Sequence, residues 1–164
     1  KRQEQMWNSF HQKGSYVFHE NEVIGIDSMP FTIECTKSAL GTKLFWSFAI
    51  EGQQSIVEFV ENSFRQSQNL YNYLNNHKDF YCPYPPESNI LCFQYMPEIY
   101  KDQQQLALRY ELINSGEFYI TSCLINQKRY LRTVMMNPLT NVDDYKALTI
   151  AIAKYALTIK NNEN

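Results

Sequence analysis

Three side chains in this sequence have the type and setting to do chemistry: Tyr16, Lys37 and Arg132. Tyr16 lies in residues 14–30, where Gly, Ser, Asn, Glu, Asp and Pro mix with isolated apolar residues. Neither a helical nor a strand period survives there. A patternless stretch of that length in a compact domain is often a functional loop. A tyrosine hydroxyl, with an ordinary pKa near ~10, stays protonated at neutral pH and can act as an acid. Lys37 follows Cys35-Thr36 where the first periodic helix opens. On its own it reads equally as a solvated cation. Arg132 sits in the apolar run Tyr130-Leu131-Arg132-Thr133-Val134-Met135-Met136-Asn137-Pro138. Strand alternation places it with Tyr130, Val134 and Met136, opposite Leu131, Thr133 and Met135. An arginine inside a strand is ordinarily paired or solvated. The sharper reading is a planar guanidinium fork reserved for a carboxylate, which it binds through two parallel hydrogen bonds.

Composition removes several other classes. The chain has 164 residues, 44% hydrophobic and 15% aromatic, enough for one compact domain and too apolar for a disordered tail. The formal charge of −2 leaves no basic field for nucleic acid or anionic lipid. No apolar run approaches the ~20 residues of a membrane span. The opening Lys1-Arg2-Gln3-Glu4-Gln5 lacks the apolar stretch of a signal peptide. Cys35, Cys82, Cys92, Cys123 and the three histidines show no metal-ligand spacing, so no metal site is expected. The thiols read as buried and reduced, in a cytoplasmic protein. No phosphate-cradling glycine loop and no nucleotide fingerprint occurs.

The elements that must position these residues follow from periodicity. Leu40, Leu44, Phe45 and Phe48 recur at helical spacing, with Gly52 as the stop. A second helix is predicted over 53–75, with Ile56, Phe59, Val60, Phe64, Leu70, Tyr71 and Leu74 on its apolar face. Strands are predicted at 80–82 and 89–96, the latter bounded by prolines. Asp102 is the predicted N-cap of a helix over 103–114, stopped by Gly116. Residues 118–125 and 130–136 form a hairpin around Asn126-Gln127-Lys128. A last helix starts at Thr140 or Asn141, with the stripe Val142, Tyr145, Leu148, Ile152, Tyr155 and Ile159. The order predicts an α+β fold: two layers, a small antiparallel sheet with helices on one face. The expected division is an irregular segment, 1–34, then a small α+β domain with its leading long helices, 35–164. The apolar residues of 1–34 would need cover from polypeptide beyond the chain.

The run Leu131-Arg132-Thr133-Val134-Met135-Met136-Asn137-Pro138, followed by Thr140-Asn141-Val142-Asp143-Asp144 and an amphipathic helix, resembles the C-terminal signature of the group II pyridoxal-phosphate decarboxylases. Thr32-Ile33-Glu34-Cys35-Thr36-Lys37 with Lys43-Leu44-Phe45-Trp46 looks like that family's C-G-R…K-x-W segment. Pro85-Pro86-Glu87-Ser88-Asn89-Ile90-Leu91-Cys92-Phe93 resembles its P-E-x-T-N-x-C-F strand. Ser9-Phe10 through Ser15-Tyr16-Val17 resembles the A-F…T-Y-L loop of the aromatic-amino-acid members. The resemblance runs from about Ser9 to Tyr155.

The resemblance implies the C-terminal domain of a fold-type I pyridoxal-phosphate enzyme, an L-amino-acid decarboxylase that releases CO₂ and an amine. It assigns Arg132 to the substrate carboxylate and Tyr16 to reprotonation of the substrate's α-carbon. Thr36 and Lys37 fall where the family contacts cofactor phosphate or a partner subunit. Thr36 replaces a glycine and Lys37 an arginine, so the charge is kept and the bidentate fork lost. The family's cofactor lysine, in a His-Lys pair, is expected upstream of residue 1. Pyridoxal 5'-phosphate would therefore be bound by that N-terminal part, and this portion alone would be inactive. The implied partners are an amino-acid substrate, the rest of the decarboxylase chain and a second copy in a homodimer. A non-catalytic interaction or dimerisation module, and a carbon–carbon lyase of the same fold, are the alternatives.

Overall fold

The computed structural model describes Gln5, Ser9 and residues 39–96 and 98–162. Two compact units divide the chain, Lys1–Ile56 and Val57–Asn164. The boundary expected after residue 34 lies outside the described residues.

Helix α1 (Leu40–Asn75) is broken at Gly52, whose φ of 76° and ψ of 163° are not helical. A residue without Cβ takes that positive φ at no steric cost, so the stop expected there is the break that forms. In the first unit Leu44, Phe45, Trp46 and Ile50 are exposed. Beyond the break, the buried stripe of α1 is Ser63, Gln66, Ser67, Leu70 and Leu74. Phe59, Val60 and Phe64 of the expected apolar face are instead nearly half exposed. The difference has a polar cause. Gln66 Nε2 donates to the carbonyls of Pro138 (3.1 Å) and Thr140 (3.2 Å), and the Tyr145 hydroxyl donates to Gln66 O (3.2 Å). These bonds fix which side of the helix turns inward.

The second unit continues with β1 (Phe80–Tyr81), β2 (Ile90–Tyr95), α2 (Asp102–Asn114), β3 (Thr121–Ile125), β4 (Lys128–Val134) and α3 (Val142–Asn162). The four strands form one antiparallel sheet in the order β1-β2-β4-β3. Leu91, Phe93 and Leu131 are fully buried with Leu70, Leu74, Leu108, Leu112 and Ile152 of the helices. The alternate residues Cys92 and Arg132 are only half-buried. Helices therefore cover one face of the sheet, and the predicted two-layer α+β fold is the one observed.

Local differences have identifiable causes. The β3–β4 turn is the two-residue Asn126-Gln127, with φ of 50° and 64°, so β4 begins at Lys128. Positive φ at both positions is what a tight hairpin with right-handed strand twist requires. Helix α2 starts one residue earlier than expected, with Lys101 as its N-cap and Gln104 Oε1 accepting from Lys101 N (3.1 Å). Asp102 is not the cap. Its Oδ1 accepts from Arg129 N (2.9 Å), tying the first turn of α2 to β4. Gly116 follows the helix with φ 73°, the expected stop. At α3 the cap is Asn141, whose Oδ1 accepts from Asp143 N (2.9 Å) while Asp144 Oδ2 accepts from Asn141 N (2.8 Å).

Candidate functional site

The sheet face turned away from the helices carries Arg132. Arg132 lies on β4, paired in register with Cys92 of β2 on one side and Thr121 of β3 on the other. A residue in a strand with neighbours on both sides has little freedom to shift. That rigidity suits a guanidinium required to meet a carboxylate in a fixed orientation. Arg132 NH1 lies 3.4 Å from Thr121 Oγ1. That hydroxyl also donates to Arg132 O (3.2 Å), so the side chain is guided along the sheet.

The strand holding Arg132 is secured at its end. Met135 N donates to Asn89 O (2.8 Å), and Asn89 Nδ2 donates to Met135 O (2.9 Å). This reciprocal pair extends the β2–β4 ladder one step past Ile90↔Val134. The Asn137-Pro138 loop then docks on α1 through Gln66. Two of the stretches that carry the sequence resemblance, around Asn89 and around Asn137-Pro138, thus brace one strand.

Part of the same face is roofed. Tyr84 packs against the buried Tyr130, ring centroids 5.9 Å apart. A groove of about 430 Å³ runs beside it, lined by Tyr84, Pro85, Pro86, Glu87, Ile90, Cys92 and Ile125. At the margin of that groove Cys92 Sγ and Cys123 Sγ approach to 3.6 Å across β4. The sequence places both cysteines in strands and treats them as separate buried thiols. Their approach depends on β4 pairing between β2 and β3, which no spacing reveals.

Of the residues assigned from sequence, Arg132 lies half-buried on the helix-free face of the sheet. Tyr16, Thr36 and Lys37 lie outside the described residues. Among the described residues no three or more His, Cys, Asp or Glu gather in a metal-holding group, and no helix is long and apolar enough to cross a membrane. Lys146 and Lys154 are exposed and bonded to Asp143 (2.9 Å) and Glu117 (3.2 Å).

No family model matches the sequence. The fold, however, is shared with part of solved amino-acid decarboxylase structures. The glutamate decarboxylase domain of a diaminobutyrate-pyruvate transaminase and L-2,4-diaminobutyrate decarboxylase from Vibrio parahaemolyticus superposes with a TM-score of 0.66 at 19% identity, covering 71% of this chain and 25% of that one. Tryptophan decarboxylase of Catharanthus roseus, solved with L-tryptophan, gives 0.62 at 16% identity, covering 71% and 26%. Mouse CSAD in its apo form gives 0.62 at 16% identity, covering 82% and 32%. The chain therefore spans roughly a quarter to a third of the length of these proteins.

Proposed function

We propose that this chain is the C-terminal part of a pyridoxal-phosphate-dependent L-amino-acid decarboxylase, and that Arg132 binds the substrate carboxylate. One observation carries the reading. The arginine of the Arg132-to-Pro138 run stands on the helix-free face of a braced strand, in a fold shared with structures of such decarboxylases. Tyr16 is proposed as the acid that delivers a proton to the α-carbon once CO₂ has left. Thr36 and Lys37 are proposed to contact the cofactor phosphate or the partner subunit. The cofactor itself is assigned to polypeptide other than the described residues. The proposed partners are the remainder of the decarboxylase chain and a second copy in a cytoplasmic homodimer.

What the described residues contribute is orientation. A carboxylate held in the Arg132 fork cannot rotate freely, and a fixed substrate presents one bond to the reacting group. Residues 14–30, with Tyr16, are proposed to close over the bound substrate and exclude water.

The test begins with the chain alone. Added pyridoxal phosphate is expected to keep the absorbance spectrum it has in buffer, and no CO₂ should be released from glutamate, tryptophan or 2,4-diaminobutyrate. A shifted cofactor band with this chain by itself would overturn the assignment of the cofactor lysine elsewhere. In the complete enzyme, Tyr16→Phe is expected to slow amine formation by ~10²-fold or more, the usual scale for removing a general acid, or to divert product. Unchanged turnover and product ratio would take Tyr16 out of the mechanism.

A further inference from the structure

We infer that Cys123 is a nucleophilic modification site, a thiolate held ready for small soft electrophiles by the Cys92 thiol and the Arg132 guanidinium on the open face of the sheet. The proposal goes beyond decarboxylation and stands whether or not Arg132 serves a substrate.

The geometry is a cluster. Cys92 is the register partner of Arg132 on β2, Cys123 is the register partner of Tyr130 on β3, and the two sulfurs meet at 3.6 Å across β4. At that separation one thiol donates its proton toward the other sulfur. Two thiols sharing one hydrogen bond lose their protons unequally, because the donor must keep its own. Either sulfur can donate, and with Cys92 as the donor Cys123 is the acceptor. The Cys92 hydrogen bond, then the Arg132 and Arg129 charges, bring its pKa down to about 7 against the opposing effect of burial. Cys92 is pushed well up, first by that same hydrogen bond and then by burial.

The surroundings of Cys123 come from every neighbouring element. β4 contributes Arg129, Tyr130 and Arg132, and β2 contributes Cys92. The proline-rich 82–88 segment places Tyr84 over Tyr130 and sets Glu87 in the groove that Cys92 lines. Thr121–Ile125, the strand bearing Cys123, holds no other titratable side chain. Helix α2 touches β3 from the core side, where Arg109 is buried and stacks at 5.2 Å on Tyr110. Arg132 is the cation on the face of the two sulfurs, whereas Arg129 points to the other face, bonded to the buried Ser122 (3.0 Å), and acts only at longer range; both cysteines remain only half-buried.

A thiolate, not a thiol, is the attacking species. With iodoacetamide as probe, the Cys123 sulfur forms a bond to the methylene carbon as the carbon–iodine bond breaks. Iodide leaves with the electron pair, and no proton is consumed. Cys82 is an internal control, since burial raises its thiol to about 12.

The experiment follows carbamidomethylation of the folded chain from pH 5.5 to 10, with each cysteine mapped by peptide mass spectrometry. Cys123 is expected to react with a midpoint near pH 7, and Cys92 and Cys82 at least tenfold more slowly at pH 7.5. Cys92→Ala and Arg132→Gln should each move the Cys123 midpoint upward, while Cys92→Ser, which keeps a donor, should move it less. Continued protection of Cys82 reports that a variant is folded. A Cys123 midpoint at or above that of an ordinary thiol, about 8.5, would overturn the proposal in the unmodified chain alone. So would equal labelling of Cys92 and Cys123, or an unmoved midpoint in folded Cys92→Ala.

Discussion

Replacing Arg132 by alanine in the complete enzyme is expected to lower kcat/KM by ~10²- to 10⁴-fold, with the fold intact. The magnitude follows from what is removed. A hydrogen bond to a charged partner contributes about 1.5–3 kcal/mol, and a carboxylate in a guanidinium fork makes two. Their sum of roughly 3–6 kcal/mol corresponds to that rate loss at about 1.4 kcal/mol per decade. Arg132→Lys keeps the charge and loses the fork, so it should fall between wild type and Arg132→Ala. Stability should change little by comparison. The residue is half-buried on the open face, and the ladder of β4 runs through backbone groups that the substitution leaves alone. Circular dichroism and a denaturation curve separate the two effects. Kinetic constants unchanged in Arg132→Ala would sink the carboxylate assignment. A variant that lost rate and fold together would place Arg132 among the structural residues.

How much of this site could be read from the sequence depends on the range of each interaction. Alternation in Tyr130-Leu131-Arg132-Thr133 was sufficient to put Arg132 opposite Leu131, because the strand period is local. Gly52 and Gly116 were legible for a similar reason. Both take positive φ, and glycine is the residue that does so freely. The cap of α2 was misread because Asp102 has a competing partner 27 residues later, the backbone N–H of Arg129. Nothing within one helical turn reports that. Residues 118–120 fall outside β3 although they look strand-like. The chain there turns so that Glu117 meets Tyr155 (2.9 Å) and Lys154 (3.2 Å) of α3. The polar residues Ser63, Gln66 and Ser67 are buried where the periodicity put Phe59, Val60 and Phe64, because Gln66 meets partners more than 70 residues away at Pro138 and Thr140. In the site itself, the approach of Cys92 to Cys123 needs the order β2-β4-β3, a non-local fact. Tyr16, Thr36 and Lys37 rest on resemblance alone, since they fall outside the described residues.

The largest loss of stability is expected at Gln105, a position with no part in the proposed chemistry. Its side chain is wholly buried, and it does the work of a missing strand. The β2–β4 ladder ends at Phe93↔Leu131, so the backbone of Tyr95 has no β4 partner in the register. Gln105 Oε1 accepts from Tyr95 N (3.2 Å), and Nε2 donates to Tyr95 O (2.7 Å) and Tyr100 O (2.9 Å). A single amide thereby closes the end of β2 and the loop that leads into α2. Gln105→Leu fills much the same volume, so cavity formation is a minor cost. It strands the N–H and the carbonyl of Tyr95 in the core, each at about 1–3 kcal/mol. The expected destabilisation is about 2–6 kcal/mol, a large share of the roughly 5–15 kcal/mol that holds a domain together. Urea denaturation should show the midpoint fall, and amide hydrogen exchange at Tyr95 should accelerate before the rest of β2. A loss below about 1 kcal/mol would mean that water or a shifted backbone satisfies these groups, and that the amide is not what terminates the sheet. The contrast with Arg132 is then physical. A buried amide that satisfies backbone groups governs folding, whereas a half-buried guanidinium on the open face is free to be selected for what it binds.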